Sequence, residues 1–305
     1  MNTILDKFRS KQSSVKEDEP EITAKTNVYE NPTYKKEDIT TTEKSVVSES
    51  KSNTETKSVT EPKVASVSKE QPKRKTICVC KMGSNHNFAN MNNHDFAFNL
   101  LNMKIVMDGC GSGKHSEVGT RLFGQLFARK AKEYFYKGKS ICEENFIEVV
   151  NSIFEKMLEL CNDISFIFQN YCFTILVCFE TEDEFVVYSC GDGYIIKENE
   201  EGITFDRLDD GEYPCYYIYN FITDKSALIE YKDGVSFKVT RFAKTDYFNV
   251  GVASDGLRYS ENLLDVEKAK LMKFLNEGKE GQIEKLINRN NLKNGMFHDD
   301  ISICF

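Results

Sequence analysis

The order of apolar periodicities in this chain predicts an α+β fold, with antiparallel sheets layered against segregated helices. Two observations carry that prediction. Strand-like, helix-like, strand-like and helix-like blocks follow one another and a last strand closes the chain, which is not the β-α-β alternation of a doubly wound sheet. The fold also belongs to residues 75–305 alone. Residues 1–74 hold no glycine, few aromatics and four of the five prolines (Pro20, Pro32, Pro62, Pro72), amid Lys, Glu, Ser, Thr and Val. Such a segment buries too little apolar surface to offset its chain entropy, so it is expected to be a disordered tail.

Within 75–305 the first strand candidates are TICVCK (76–81), DFAFNLL (95–101) and KIVM (104–107). A glycine-rich turn follows. Val118, Leu122, Phe123, Leu126, Phe127, Ala131 and Tyr134 then repeat at helical spacing, and a second helix is predicted over 144–164. A strand block comes next, with 172–180, 184–190 and 193–199, weaker candidates at 215–221 and 236–242, and a buried strand at 248–254. Helices are predicted around 263–275 and 279–290, and ISICF closes the chain as a strand. The aromatic-rich helices are expected to be core. The LDDGEY stretch (208–213) is expected to be a surface turn, since it lacks the alternating ligands of a calcium loop.

Charge narrows the function. Residues 1–74 carry 14 Lys and Arg against 13 Asp and Glu, a net +1; residues 75–305 carry 26 against 35, a net −9. An acidic fold argues against a nucleic-acid surface and suits carboxylates that bind cations. The longest apolar run, FTILVCF at 173–179, is far below the ~18 residues of a membrane span. MNTILDKF lacks the apolar stretch of a secretory signal. The ten cysteines form no C-x-x-C pair, and several sit in strand-like runs, so they are expected to be reduced core residues of a cytoplasmic protein. A monomer is expected.

The stretch MDGCGSGKHSEVG (107–119) poses the question of the site. A nucleotide-binding loop G-x-x-x-x-G-K-[ST] would need glycine where Asp108 stands and a hydroxyl where His115 stands. The alternative begins at Asp108, an aspartate at a strand end followed by a glycine. The same grammar recurs at Asp192-Gly193 and Asp255-Gly256; Asp299 and Asp300 precede the last strand, and Asp95 opens an early one. One such aspartate is ordinarily a turn former. Five such strand-end sites, with Asp299 and Asp300 counted as one, together suggest an oxygen-ligand site for hard cations such as magnesium or manganese.

In order and approximate spacing these pieces resemble the metal-dependent protein phosphatase 2C family, in particular its bacterial-type branch. The matching motifs are NNHDFAF at Asp95, MDGCGSG at Asp108 and Gly109, CGDGY at Asp192, ASDGL at Asp255 and DDISI at Asp299, across residues 78–305. The resemblance implies a sandwich of two antiparallel sheets flanked by helices, with a two-metal site at one end. It implies that Asp108 bridges both cations and that Gly109 lends one its carbonyl. Asp255 and Asp299 would hold the other, Asp95 would reach its cation largely through water, and Asp192 would serve a third, weaker position. The implied reaction is hydrolysis of phosphoserine and phosphothreonine on proteins by a water activated between two or three Mn2+ or Mg2+ ions. Phosphoprotein substrates, and a cognate Ser/Thr kinase, are the implied partners.

The sequence departs from the family pattern in three places. Asn90 stands where a phosphate-clamping arginine is common, so that role is expected to pass to Lys114 or Arg121, with Lys81 a further choice. His94 replaces a common Glu, and Cys110 replaces a histidine that donates a proton. His115 is the first candidate for that donor and His86 the second; His298 is expected to be a turn residue or a partner of Asp299. These departures leave an alternative open, a catalytically silent domain of the same fold that binds phosphoproteins or a kinase. A phosphatase acting on a small phosphomolecule is a third reading.

Overall fold

The computed structural model describes residues 76–208, 215–223, 225, 228, 231 and 233–305. The expected tail, and all but Leu208 of the expected turn at 208–213, lie outside the described residues.

Two five-stranded antiparallel sheets form the centre. The first runs, edge to edge, β1 (Cys78–Lys81), β10 (Ile301–Cys304), β9 (Asn249–Ala253), β6 (Gly193–Asn199) and β7 (Gly202–Leu208). The second runs β2 (Phe96–Leu100), β3 (Met103–Met107), β4 (Ile175–Glu180), β5 (Glu184–Cys190) and β8 (Lys238–Ala243). Side chains alternate between two cores, as the two-residue period of a strand requires. From β3 and β4, Val106, Leu176 and Cys178 pack with Ile195, Val250, Val252 and Cys304 of the first sheet. Their neighbours Ile105, Val177 and Phe179 point the other way, into a helix-covered core. That is why these strands read as unbroken apolar runs: both faces are buried.

On the outer side of the second sheet lie α2 (Ser116–Tyr136) and α3 (Glu143–Leu160), which contribute Phe123, Phe127, Phe146 and Phe154 to that core. On the outer side of the first sheet, α5 (Asp265–Asn276) and α6 (Glu280–Asn294) pack Leu271, Leu275, Ile283 and Ile287 against Ile77, Val79, Ile196 and Ile303. The α+β sandwich flanked by helices is therefore as expected. No helix among the described residues is long and apolar enough to cross a membrane. Of the ten cysteines only Cys172, Cys178, Cys190 and Cys304 are buried, fewer than the core placement expected of them.

Three local expectations need correction. The 215–221 stretch is not a strand; Tyr217–Phe221 is a 3-10 helix. Its alternating aromatics are spent on the helical core instead. Tyr217 donates its hydroxyl to Asn151 Oδ1 at 2.9 Å and packs its ring near those of Phe154 and Phe237. The helix predicted over 144–164 stops at Leu160, where Cys161 turns extended (φ −159°, ψ 123°). A separate helix, α4 (Ile164–Asn170), starts behind it, capped by the Asp163 carboxylate, which accepts from the Phe166 amide. Finally, β7, the short α1 (Ser84–Phe88) and the 3-10 segment Asp255–Asn262 had no counterpart in the sequence reading.

Candidate metal centre

Strand register brings the five motif aspartates to one end of the sandwich. Phe96 pairs with Met107, so Asp95 and Asp108, the residues just beyond that pair, lie side by side. The chain keeps strand-like pairing past β3: Asp108 donates its amide to Thr174 Oγ1 and its carbonyl accepts from the Thr174 amide at 2.8 Å. Cys190 pairs with Ile175 and Tyr194 with Ala253, so the tight turn holding Asp192 sits between the two sheets near Thr174 and Ser254. Asp255 follows β9 and Asp299 precedes β10. These are neighbouring strands, tied at this end by Ser254 and Ser302, whose backbone and hydroxyl groups exchange hydrogen bonds at 3.0 and 2.9 Å.

In two of the three motif Asp-Gly pairs, at Gly109 and Gly256, crowding alone dictates the glycine. A Cβ at Gly109 would stand 2.7 Å from Ser116 Oγ and 2.8 Å from the His94 carbonyl. A Cβ at Gly256 would collide with the Asp300 carbonyl. Only glycine lets the backbone come this close.

The carboxylates repel one another. Burial first, and then Asp95, Asp255, Asp299 and Asp192, push the Asp108 carboxyl well above the usual range. Burial and Asp299 raise Asp255 to about 6, against the attraction of Arg258. Asp95 is 1% exposed and is raised by burial and by Asp300. Neither of its carboxylate oxygens makes a well-formed hydrogen bond among the described residues, and the nearby Ser254 and Ser302 hydroxyls offset only part of the rise. Among those residues, no three His, Cys, Asp or Glu side chains converge closely enough to ligate a single ion. The aspartates thus share one end of the fold without being drawn together.

Three charged residues that the sequence reading did not assign shape this end. Arg258 lies between Asp255 and Asp299, with Nη1 2.7 Å from Asp255 Oδ2 and Nη2 3.3 Å from Asp299 Oδ2. Its i,i+3 spacing from Asp255 was the available signal. Asp300, 2% exposed, accepts from the amides of Gly83 and His94 and pairs with His86 Nδ1 at 2.8 Å. Glu117, at the start of α2, lies 3.5 Å from both His94 Nε2 and His115 Nδ1 and accepts from Asn92.

The candidate proton donors and phosphate ligands fall in different places. His86 is held by Asp300, whose hydrogen bond raises its pKa, and its ring lies 4.2 Å from that of His94. Burial and His86 lower the pKa of His94. His115 precedes α2 with a half-exposed ring, in the turn that leaves Asp108. Lys114 is exposed in the same turn, and Arg121 donates to the Asn93 carbonyl, two residues before Asp95. Lys81 is turned away, paired with Glu284 of α6 at 3.1 Å. His298 packs edge-on against Tyr259. Cys110 lies within 3.1 Å of Ser112 Oγ.

A family model described as protein phosphatase 2C matches residues 82–287. This chain belongs to the protein phosphatase 2C family. It is a phosphoprotein phosphatase, and the matched span includes Asp95, Asp108, Asp192 and Asp255. Solved structures resemble the phosphatase in fold. A crystal structure of a bacterial serine phosphatase in a single-substitution form covers 77% of this chain and 98% of its own, at 15% identity and a TM-score of 0.54. The serine/threonine phosphatase Stp1 from Staphylococcus aureus covers 76% of this chain and 94% of its own, at 15% identity and a TM-score of 0.50. No curated protein matches the phosphatase in sequence.

Proposed function

We propose that this phosphatase removes phosphate from phosphoserine and phosphothreonine of proteins at a centre of two or three divalent cations, Mn2+ or Mg2+. The observation that carries the reading is Asp95. A carboxylate sealed from solvent, with no well-formed hydrogen bond and only the Ser254 and Ser302 hydroxyls to ease it, is costly unless something cationic meets it. The chemistry of the set agrees, because five aspartates offer hard oxygen ligands of the kind magnesium and manganese take. The residues that would hold the cations are Asp108 and the Gly109 carbonyl, Asp255 and Asp299, with Asp95 and Asp192 alongside.

Cations bound there supply charge neutralisation at the phosphoryl oxygens and a water acidified for in-line attack. The chain does the rest. Thr174 fixes the backbone of Asp108 at the sheet end. Asp300 gathers Gly83, His86 and the His94 amide, and so sets the loop that leads into Asp95. His115, in the turn beyond Asp108 and beside Glu117, is placed to give the leaving alkoxide its proton, with His86 the second choice. Lys114, exposed in the same turn, and Arg121, on α2 with its guanidinium at the Asn93 carbonyl, are the proposed phosphate contacts.

The Ser/Thr preference follows from the family resemblance. A cognate Ser/Thr kinase as partner, a monomeric state and a cytoplasmic location belong to the same proposal. Phosphopeptide hydrolysis by the full chain, with manganese added or chelated, tests it. Metal-independent turnover, or none, would overturn it.

A further inference from the structure

We infer that Arg258 is a resident counter-cation of the metal centre: its guanidinium holds the Asp255 and Asp299 carboxylates that a divalent ion would need, and the ion must compete with it to bind. The inference rests on the two-cation reading above.

The geometry is specific. One guanidinium edge reaches two carboxylates that come from different strands, Asp255 after β9 and Asp299 before β10. The same group lies 4.8 Å over the Tyr259 ring, and Nη2 is 3.1 Å from the Tyr259 hydroxyl. Ring and carboxylates together define one seat for the fork. A planar guanidinium suits such a seat, because it can bond two acceptors at once while stacking on an aromatic face. Its side chain is 40% exposed, so a way out to solvent is open. Arg258 thereby offsets charge in a cluster whose members raise one another's pKa.

The guanidinium engages Oδ2 of both carboxylates, and so competes with a divalent ion for their negative charge and for two of their four oxygens. Metal affinity therefore contains the cost of loosening two ion pairs. Removing the guanidinium removes that cost and leaves the cluster more negative, so both effects tighten cation binding. The expected gain is about tenfold, the worth of a partly screened ion pair.

The test is calorimetric titration of the full chain with manganese chloride, comparing wild type with Arg258→Met and Arg258→Lys. Methionine keeps much of the packing volume over Tyr259 without the charge. The inference expects a manganese Kd about tenfold tighter for Arg258→Met and an intermediate one for Arg258→Lys, which keeps the charge but not the fork. It also expects a lower Tm without metal and a larger rise in Tm on adding manganese. An arginine that only holds the fold together would lower the metal-free Tm with Kd unchanged or weaker, and that result overturns the inference. So does the absence of manganese binding in both proteins, since nothing would then need displacing. Binding seen only in Arg258→Met supports it. Phosphopeptide turnover by wild type reads the proposed function separately; a silent wild type whose affinity still responds to Arg258 would sink that reading and leave this one standing.

Discussion

Asp95 is 1% exposed, and neither of its carboxylate oxygens makes a well-formed hydrogen bond among the described residues. Asp95→Asn removes that buried charge at nearly constant volume. It should stabilise the metal-free protein by about 1–3 kcal/mol, seen as a few degrees of Tm, while reducing manganese binding in calorimetry. A fall in metal-free Tm would contradict the claim that the carboxylate is held at a cost. Asp255 makes the related point through pH. Its folded pKa is about 6, above the ~3.9 of an unfolded aspartate. It therefore favours folding fully below ~3.9, and that support is lost as pH rises through about 6. Urea titrations of metal-free protein should show Asp255→Asn gaining stability relative to wild type between pH 5 and 7, by up to roughly 3 kcal/mol. His115→Ala should slow phosphothreonine-peptide turnover by about 100-fold but p-nitrophenyl phosphate turnover far less, because that leaving group needs no proton. Equal losses on both substrates would remove His115 from the donor role. At this scale the motif aspartates were legible because each is spelled Asp-Gly or lies against an apolar run. The roles of Asp300 and Glu117 were not, because their partners include residues far along the chain: Asp300 meets His86, 214 positions away, and Glu117 meets His94. Arg258 carried only its i,i+3 spacing from Asp255, while Asp299, its other partner, lies on a distant segment.

Element by element, the near-continuous apolar runs of β3 and β4 matched the sequence because both faces are filled, one by the first sheet and one by helices. The misreadings share a cause. Tyr216, Tyr217 and Tyr219 are buried through contacts with α3 and α4 rather than with a neighbouring strand, so tertiary packing overrode a strand-like pattern. The β7 strand, GITFDRL, pairs only with β6 at the sheet edge and buries little apolar surface, which left a weak periodicity. The helical layer over the second sheet is anchored by Phe146, which meets the rings of Phe127, Phe179, Tyr188 and Phe237. Phe146→Ala should cost about 3–5 kcal/mol in a urea titration. Manganese affinity should change little, since Phe146 lies in the helical core rather than among the motif aspartates. A loss below ~1 kcal/mol would mean that this layer is not the support described.

For the molecule as a whole, the acidity concentrated in residues 75–305 finds its use at one end of the sandwich, where five chain segments deliver Asp95, Asp108, Asp192, Asp255 and Asp299. Two facing antiparallel sheets suit this task, because strand ends from both arrive at the same rim while hydrophobic cores on either side hold them in register. The family membership and the geometry meet there. The measurement that tests their conjunction most directly is hydrolysis of a phosphothreonine peptide by the full chain, with manganese and with chelator, beside Asp108→Asn. The account predicts turnover that requires manganese and falls by at least about 100-fold in Asp108→Asn, with the variant still folded. Turnover that survives chelation or the Asp108 substitution would contradict it.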